Sequence, residues 1–343
     1  MQGVFLADRQ HIVVDDGVPT PDCPPDGVLV RMQTCGVCGG DMKQYRYFVG
    51  PYPRFMGGHE YAGDVIEVGA NVQTFRRGDR VANCFGNFCG QCANCLLGSP
   101  NFCTGAPRLR NAGGGFTDLI ARLTPAQGCG LFPLPIGLSF EHAAVCEPAD
   151  CAIGAALRGQ PEAGQWAAVV GLGAMGHFVS QTLYGMGVRV IGIDVSPNRL
   201  QAARPFCAEV VNSATHDPVA VVREITRGIG VDRAYEVVGI EPTFAAALQM
   251  TRMGGITILV GVFRAPMTGF DPEWLFRRDL TVIAAKGPRP LLTAQGEATV
   301  LDFIARKIIR PETVVTTFPR SQAAAAFAAQ ASSECLKAVL VPD

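Results

Sequence analysis

The chain is predicted to be α/β, with a β-rich, loop-rich first half followed by a parallel sheet wrapped in helices. Three observations predict this. Up to about Arg158 short alternating segments such as VLVRM at 28–32 are broken repeatedly by Gly and Pro, the punctuation of strands and turns. After Pro161-Glu162-Ala163-Gly164 the texture changes to apolar runs separated by helix-length segments. At the head of that second region a glycine-spaced turn joins a strand to a helix. With 343 residues, 48% of them hydrophobic and 17% charged, the chain can bury two cores, which excludes disorder, collagen and coiled coil.

In order, the first half contains EYAGDVIEVGANV, which reads as a strand bounded by turns. The runs AAVVGLG, VRVIGID, AEVV, VDRAYEVVG, GITILVG and LTVIAA then follow at the spacing of a doubly wound βαβ series. From Pro290 two alanine-rich amphipathic helices, near Glu297 to Lys307 and Ser321 to Ala331, precede a last strand, KAVLVP. That tail is too short to stand alone and is expected to pack back on the first half. The expected division is therefore 1–158, 159–289 and a return over 290–343.

Twenty-nine basic and 30 acidic residues give a formal net charge of -1, which supplies no electrostatic pull on nucleic acid or an anionic membrane. A small molecule is the expected partner. The start, MQGVFLADRQ, lacks a basic segment followed by an apolar one, and the longest apolar region, Ala167 to Ile193, is cut by glycines, His177 and Arg189. A soluble cytoplasmic protein is expected. Thirteen cysteines, an odd number, point to metal ligation rather than a disulfide frame.

In WAAVVGLGAMGHFVSQTLYGMGVRVIGID, Gly171, Gly173 and Gly176 follow a strand and open a helix, with Leu172, Ala174 and Met175 between them. Gly171 permits the tight turn, Gly173 lets the backbone approach a pyrophosphate, and Gly176 permits close packing of helix on strand. The unpaired N–H groups at the helix start attract the phosphate charge. Asp194 ends the next strand, placed to accept hydrogen bonds from an adenosine ribose and to repel a 2′-phosphate, so NAD is expected over NADP. Arg199, five residues on, is the residue that could accommodate the phosphate instead. Val260, Gly261 and Val262 close a later strand and are the expected wall for the nicotinamide. The competing reading of the motif is a glycine-rich turn that binds nothing.

Cys89, Cys92, Cys95 and Cys103 lie within CGQCANCLLGSPNFC, in a lobe spanning about 86–105. Four thiolates on one short loop suit a closed tetrahedral zinc site of structural role. An iron-sulfur cluster also uses four cysteines, but this spacing matches neither common ferredoxin pattern. A second, dispersed set comprises Cys38, His59, Glu60 and Glu147. Thiolate, imidazole and carboxylate are all zinc ligands, and three protein ligands leave a fourth position open. A lone histidine is nevertheless often only a hydrogen-bonded structural residue. Cys35 and Cys38 form a CxxC outside any thioredoxin-like pattern, so dithiol redox chemistry is discounted. Cys23, Cys84, Cys129, Cys146, Cys151, Cys207 and Cys335 read as small core hydrophobes, with Cys146 or Cys151 an alternative third ligand.

Taken together, GHEYAGDVIEVG around His59, the four-cysteine lobe, GLGAMG with Asp194, and the final KAVLVP resemble the zinc-dependent medium-chain dehydrogenase/reductase family, the alcohol, sorbitol and threonine dehydrogenase group. The resemblance covers essentially the whole chain. It implies a GroES-like catalytic domain, a Rossmann domain inserted into it, and a cleft holding a catalytic zinc beside the nicotinamide. It also implies a homodimer or homotetramer, with the edge strand near Leu280 to Ala285 as a pairing surface. By resemblance Cys38 and His59 are zinc ligands, Glu147 is the third ligand or holds a water there, Glu60 is the alternate, and Asp41 orients His59. Two zinc ions per chain, one catalytic and one structural, are thus expected.

Two departures from the family pattern stand out. Gly40 occupies the position where Ser or Thr usually relays the substrate proton, and Lys43 stands where many members have a relay histidine. The expected reaction is hydride transfer from a secondary alcohol to NAD, giving the ketone. A polyol, cyclitol or amino-sugar-like alcohol fits the Glu147 subtype. L-threonine 3-dehydrogenase, a simple alcohol dehydrogenase, and a non-catalytic zinc-stabilised NAD-binding protein are the alternatives. Tyr45, Phe48, Phe55, Phe116 and Trp274 are pocket candidates that could equally be core, and Arg108 and Arg110 could meet an anionic group or simply face solvent.

Overall fold

The computed structural model describes residues 1–343 except 84–87, 107, 108, 110, 124–129, 264, 270 and 288–293, and except the side chains of 294–298. Cys84, Arg108, Arg110 and Cys129 therefore lie outside the described residues. Two compact units emerge. Met1–Asp150, Pro290–Leu301 and Val314–Asp343 form the first, and Cys151–Arg289 with Asp302–Thr313 form the second. This grouping differs from the expected division at 158 and within the return segment, for identifiable reasons. The Tyr235 hydroxyl and the Arg233 guanidinium bond the carbonyls of Ala156 and Gly159, and Gln181 bonds both Arg310 N–H and the Thr313 hydroxyl.

Along the chain come β1 (Gly3–Asp8), β2 (His11–Asp15), β3 (Gly27–Gly36), α1 (Gly39–Tyr47), β4 (Arg54–Met56), β5 (Glu60–Val68), β6 (Arg80–Asn83), α2 (Ala93–Leu96), β7 (Leu119–Leu123), β8 (Leu131–Pro133), α3 (Phe140–Ala143) and α4 (Cys146–Arg158). Next are β9 (Trp166–Val170), α5 (Ala174–Gly185), β10 (Arg189–Asp194), α6 (Pro197–Ala203), β11 (Glu209–Asn212), α7 (Pro218–Ile225), β12 (Val231–Glu236), α8 (Glu241–Met250), β13 (Thr251–Leu259), α9 (Pro272–Arg278) and β14 (Thr281–Ala284). The chain then returns through α10 (Ala294–Ala305), β15 (Val315–Pro319), α11 (Ala323–Ser332) and β16 (Lys337–Val341).

In the first unit β2, β1 and β4 form a small sheet, and a seven-stranded sheet runs β15-β16-β3-β5-β6-β8 with β7 also on β3. β3 is buried along most of its length because it pairs with three strands, β5, β7 and β16, which explains its run of apolar residues. Its core packs Val28, Val30, Met32, Tyr61, Phe116 and Phe327. Of the return segment, β15 and β16 join the first unit's sheet, while Asp302–Thr313 belongs to the second unit.

The second unit is a six-stranded, wholly parallel sheet in the order β11-β10-β9-β12-β13-β14. Each strand is followed by a helix or a crossover, so the near-continuous apolar runs of β9 and β10 are those of strands buried on both faces. The order reverses between β9 and β12, and at such a reversal the strand ends open a crevice where ligands bind. β14 is an edge strand, as the sequence led one to expect. Among the described residues no helix is long and apolar enough to cross a membrane.

Candidate functional site

The first unit gathers Cys38, His59 and Glu60, whose ligand atoms lie within 4.8 Å of one another. Cys38 is the N-cap of α1. Its sulfur accepts the Gly40 N–H at 3.3 Å while the Asp41 carboxylate accepts the Cys38 N–H at 2.9 Å, so a capping box fixes the thiol at the helix start. Asp41 is buried, and burial lifts its carboxyl to about 6 against the opposing pull of His59. Its hydrogen bond goes to the Cys38 N–H, and its interaction with His59 is one of charge. Glu60 opens β5 and is buried; a Cβ on Gly36 would strike its Oε2 at 2.4 Å, so the glycine makes room for the carboxylate. Lys337 Nζ grips both oxygens, at 2.8 and 2.5 Å, and also donates to the Val37 carbonyl. Burial, and then the Glu60 carboxylate, push the Cys38 thiol well up. Such a concentration of acidic groups around one histidine and one lysine favours a bound cation, and the donor set fits zinc.

Cys89, Cys92, Cys95 and Cys103 also converge. Sulfur separations are 3.5 Å for Cys92 to Cys95, 3.9 Å for Cys92 to Cys103 and 3.5 Å for Cys103 to Cys89. A tetrahedron of Zn–S bonds demands about 3.8 Å between sulfurs. All four cysteines are free thiols, and the N–H groups of Cys89 and Cys92 already point at neighbouring sulfurs, each at 3.3 Å. Backbone hydrogen bonds draw Cys92 down to about 5, whereas burial pushes Cys95 up to about 12. A metal that accepts four thiolates removes that conflict.

In the second unit Gly171 adopts φ +95°, and a Cβ on Gly176 would meet Gly171 O at 1.8 Å. Only glycine satisfies these two positions. Gly173, the N-cap of α5, differs: no atom of the described residues lies within 4 Å of where its Cβ would be, so it leaves a cradle at the helix N-terminus, flanked by Ala174 and Met175. Asp194, buried at the end of β10, accepts the Leu172 N–H at 2.7 Å and the Ser196 N–H at 2.8 Å through different oxygens. Each oxygen keeps a second lone pair for a ribose hydroxyl. Arg199 lies 3.6 Å from the same carboxylate, paired with it rather than standing clear for a phosphate. These residues fit a dinucleotide.

Comparison with known proteins decides the family. Residues 24–135 match the alcohol dehydrogenase GroES-like domain, and residues 174–306 match the zinc-binding dehydrogenase domain. The D-arabitol-phosphate dehydrogenase of Enterococcus avium is 31% identical over 300 residues, 84% of each chain. The sorbitol dehydrogenase of Bacillus subtilis (strain 168) is 30% identical across 100% of this chain and 98% of its own. The chain belongs to the zinc-dependent medium-chain dehydrogenase family. The solved alcohol dehydrogenase from Thermus sp. ATN1 covers 100% of both chains with a TM-score of 0.89 at 28% identity. The predicted GroES-like and Rossmann folds are thereby borne out, and the chain is an oxidoreductase acting on CH–OH donors.

Other expected residues of this dehydrogenase fall differently. Glu147, on the first turn of α4, lies outside the close group of potential donors formed by Cys38, His59 and Glu60. Glu147 instead lines a cavity of about 410 Å³ with Gly57, Gly58, His59, Asn83 and Arg122, where burial and then the Glu60 charge lift it to about 7. Neither Cys146, buried and pushed up to about 12, nor Cys151 joins the ligand group. Lys43 is exposed on α1. Gly40 has only the Cys38 sulfur near its Cβ position, at 3.8 Å. Tyr45 and Phe116 are core residues, each with its ring against Phe327, while Phe48 stacks edge-on to Tyr52 and Phe55 tilts against Phe5. Trp274 lines a separate cavity in the second unit with Glu241, Phe244 and Met267. Val260 and Gly261 are half-buried, and Val262 is exposed.

Three residues of the first unit escaped sequence reasoning. Lys337 pairs with Glu60, Asn83 Nδ2 donates to the His59 carbonyl at 2.7 Å, and Arg122 donates to the Asn83 side chain at 3.1 Å. A lysine opening an otherwise apolar, buried strand was the available signal for the first. For Asn83 and Arg122 no local pattern exists.

His177, on α5, carries a pH prediction. It is buried with Nε2 3.2 Å from the Thr313 hydroxyl, and burial lowers its pKa to about 4. The unfolded chain takes up this proton near pH 6.5, so folded stability is full above that pH and falls as pH drops towards 4, by roughly 3 kcal/mol. Urea titrations at pH 7 and pH 5 are expected to show a larger loss for the native chain than for His177→Gln.

Proposed function

We propose that this dehydrogenase oxidises a secondary alcohol of the polyol class with NAD as hydride acceptor. The supporting observation is that one chain carries both the Cys38, His59 and Glu60 donor group and the Gly173 cradle with Asp194 beside it. The polyol class draws support from two relatives that are by name dehydrogenases of D-arabitol phosphate and sorbitol. Cys38 and His59 would hold a catalytic zinc, with Glu60 as third ligand and Glu147 on the adjoining cavity wall, and the four cysteines would hold a structural one. When bound, the catalytic ion supplies Lewis acidity to an alcohol oxygen. Asn83 holds the His59 backbone, and the capping box with Asp41 holds Cys38, so the donor set is ordered in advance of substrate. The Glu147 carboxylate offers a hydrogen-bond acceptor to a substrate hydroxyl in the same cavity. The N-terminus of α5 would receive the pyrophosphate, and Asp194 the ribose hydroxyls.

NADH formation by the purified protein against polyols, cyclitols, amino-sugar alcohols, threonine and simple alcohols tests the reading. Turnover confined to polyols supports it; turnover confined to threonine or simple alcohols replaces the substrate, and none at all with NAD bound favours a non-catalytic protein. Asp194→Ala is expected to reduce the kcat/KM preference for NAD over NADP by roughly ten-fold or more through loss of the ribose acceptor and of the charge repulsion. An unchanged ratio would remove Asp194 from the cofactor site.

A further inference from the structure

Glu236 ends β12 and is fully buried. One carboxylate oxygen accepts three hydrogen bonds, from Val238 N–H at 2.9 Å, Gly239 N–H at 2.8 Å and the Thr243 hydroxyl at 2.7 Å. Its main-chain carbonyl accepts two more, from Val260 N–H at 2.8 Å and Gly261 N–H at 2.9 Å. A single residue thus ties the turn after β12 to the turn after β13. Among the described residues the other carboxylate oxygen, Oε2, has no hydrogen-bond partner. It is wedged against Gly261, whose Cβ would meet it at 2.6 Å and would meet Gly239 N at 2.2 Å. Gly239 in turn has φ +84°, and its Cβ would strike Val262 O at 2.6 Å. The two turns are packed backbone on backbone, with the carboxylate between them.

A half-satisfied buried carboxylate is costly, and burial accordingly raises its pKa. Local turn formation alone does not require it, since a neutral acceptor would satisfy the same three donors. What the brace does is display two apolar side chains. Val238 is 43% exposed and Val262 is 72% exposed, and Val238 Cγ2 lies within 2.6 Å of where a Cβ on Gly171 would be, so this apolar surface adjoins the glycine turn. A planar aromatic ring attached to a pyrophosphate seated at that turn would reach this surface.

We propose that Glu236 is a positioning residue for the nicotinamide half of the dinucleotide, acting through the turns at 238–239 and 260–262 and leaving the adenosine half untouched. The inference rests on the NAD reading above.

Calorimetric or fluorescence titration with NADH and with ADP-ribose, which lacks the nicotinamide, tests it. Glu236→Ala leaves the Val238 and Gly239 N–H groups unmatched, the Thr243 hydroxyl falling back on the Ile240 carbonyl, and is expected to weaken NADH binding by about ten-fold or more while ADP-ribose stays within about two-fold. Thr243→Val removes one donor only and is expected to weaken NADH by roughly three-fold with ADP-ribose unchanged. Equal losses for both ligands would mean a general scaffold role and would overturn the proposal, as would unchanged NADH affinity in folded Glu236→Ala. If that variant does not fold, Thr243→Val decides alone, and unchanged NADH affinity there is likewise fatal. A native chain that binds neither ligand overturns the NAD reading itself, and this inference with it.

Discussion

Cys38→Ala is expected to lower turnover by on the order of 10³-fold or more while NADH binding stays within about two-fold. The sulfur is one of three ligand atoms held within 4.8 Å, and losing it leaves His59 and Glu60 as a two-ligand site. Alanine also removes the acceptor for the Gly40 N–H, a cap worth roughly 1 kcal/mol, too little to unfold a domain of this size. Metal analysis provides the second readout: zinc is expected to fall from about two per chain to about one, because the four-cysteine lobe is untouched. Turnover surviving in a chain with that lowered zinc content would rule out metal-assisted hydride transfer. A chain that loses both ions would show the two sites to be coupled, contrary to expectation.

In the metal-free chain Lys337→Met is expected to cost about 3–5 kcal/mol of folding stability, because with no ion on Glu60 it leaves that carboxylate buried with its counter-ion removed. The ammonium and carboxylate are 3% and 1% exposed, so solvent cannot replace the lost partner. Denaturant titration measures the loss, and the double variant Lys337→Met/Glu60→Gln is expected to recover much of it, since the charge that suffered is gone. A single variant as stable as the native chain would mean that the buried ion pair contributes nothing.

Much of the fold was legible because its signals are local. Gly171 and Gly176 occupy positions that only glycine fits, Asp194 ends its strand where a ribose acceptor belongs, and the four cysteines lie within fifteen residues of loop. Which carboxylate lies close to Cys38 and His59 was less legible. Glu60 and Glu147 are equally suitable in chemistry, and the choice between them depends on how β5 and α4 pack, which residue types alone do not encode. Lys337 was missed for the same reason: it meets Glu60 across 277 residues of sequence. Phe116, a core residue, and Trp274, which lines a cavity, were open to either reading because aromatic residues suit both cores and pockets, and only tertiary structure separates the two.

The position of β16 has a consequence for biosynthesis. It lies between β15 and β3 in the larger sheet, although β3 is translated some three hundred residues earlier. While the chain is still emerging from the ribosome, β3 has a bare edge and Glu60 has no counter-ion, and a slot in the middle of a sheet is open to the wrong strand. Cys38, His59 and Glu60 are made early, but the ammonium that neutralises Glu60 arrives only with residue 337. Closure of the larger sheet and neutralisation of Glu60 therefore arrive together, with residue 337.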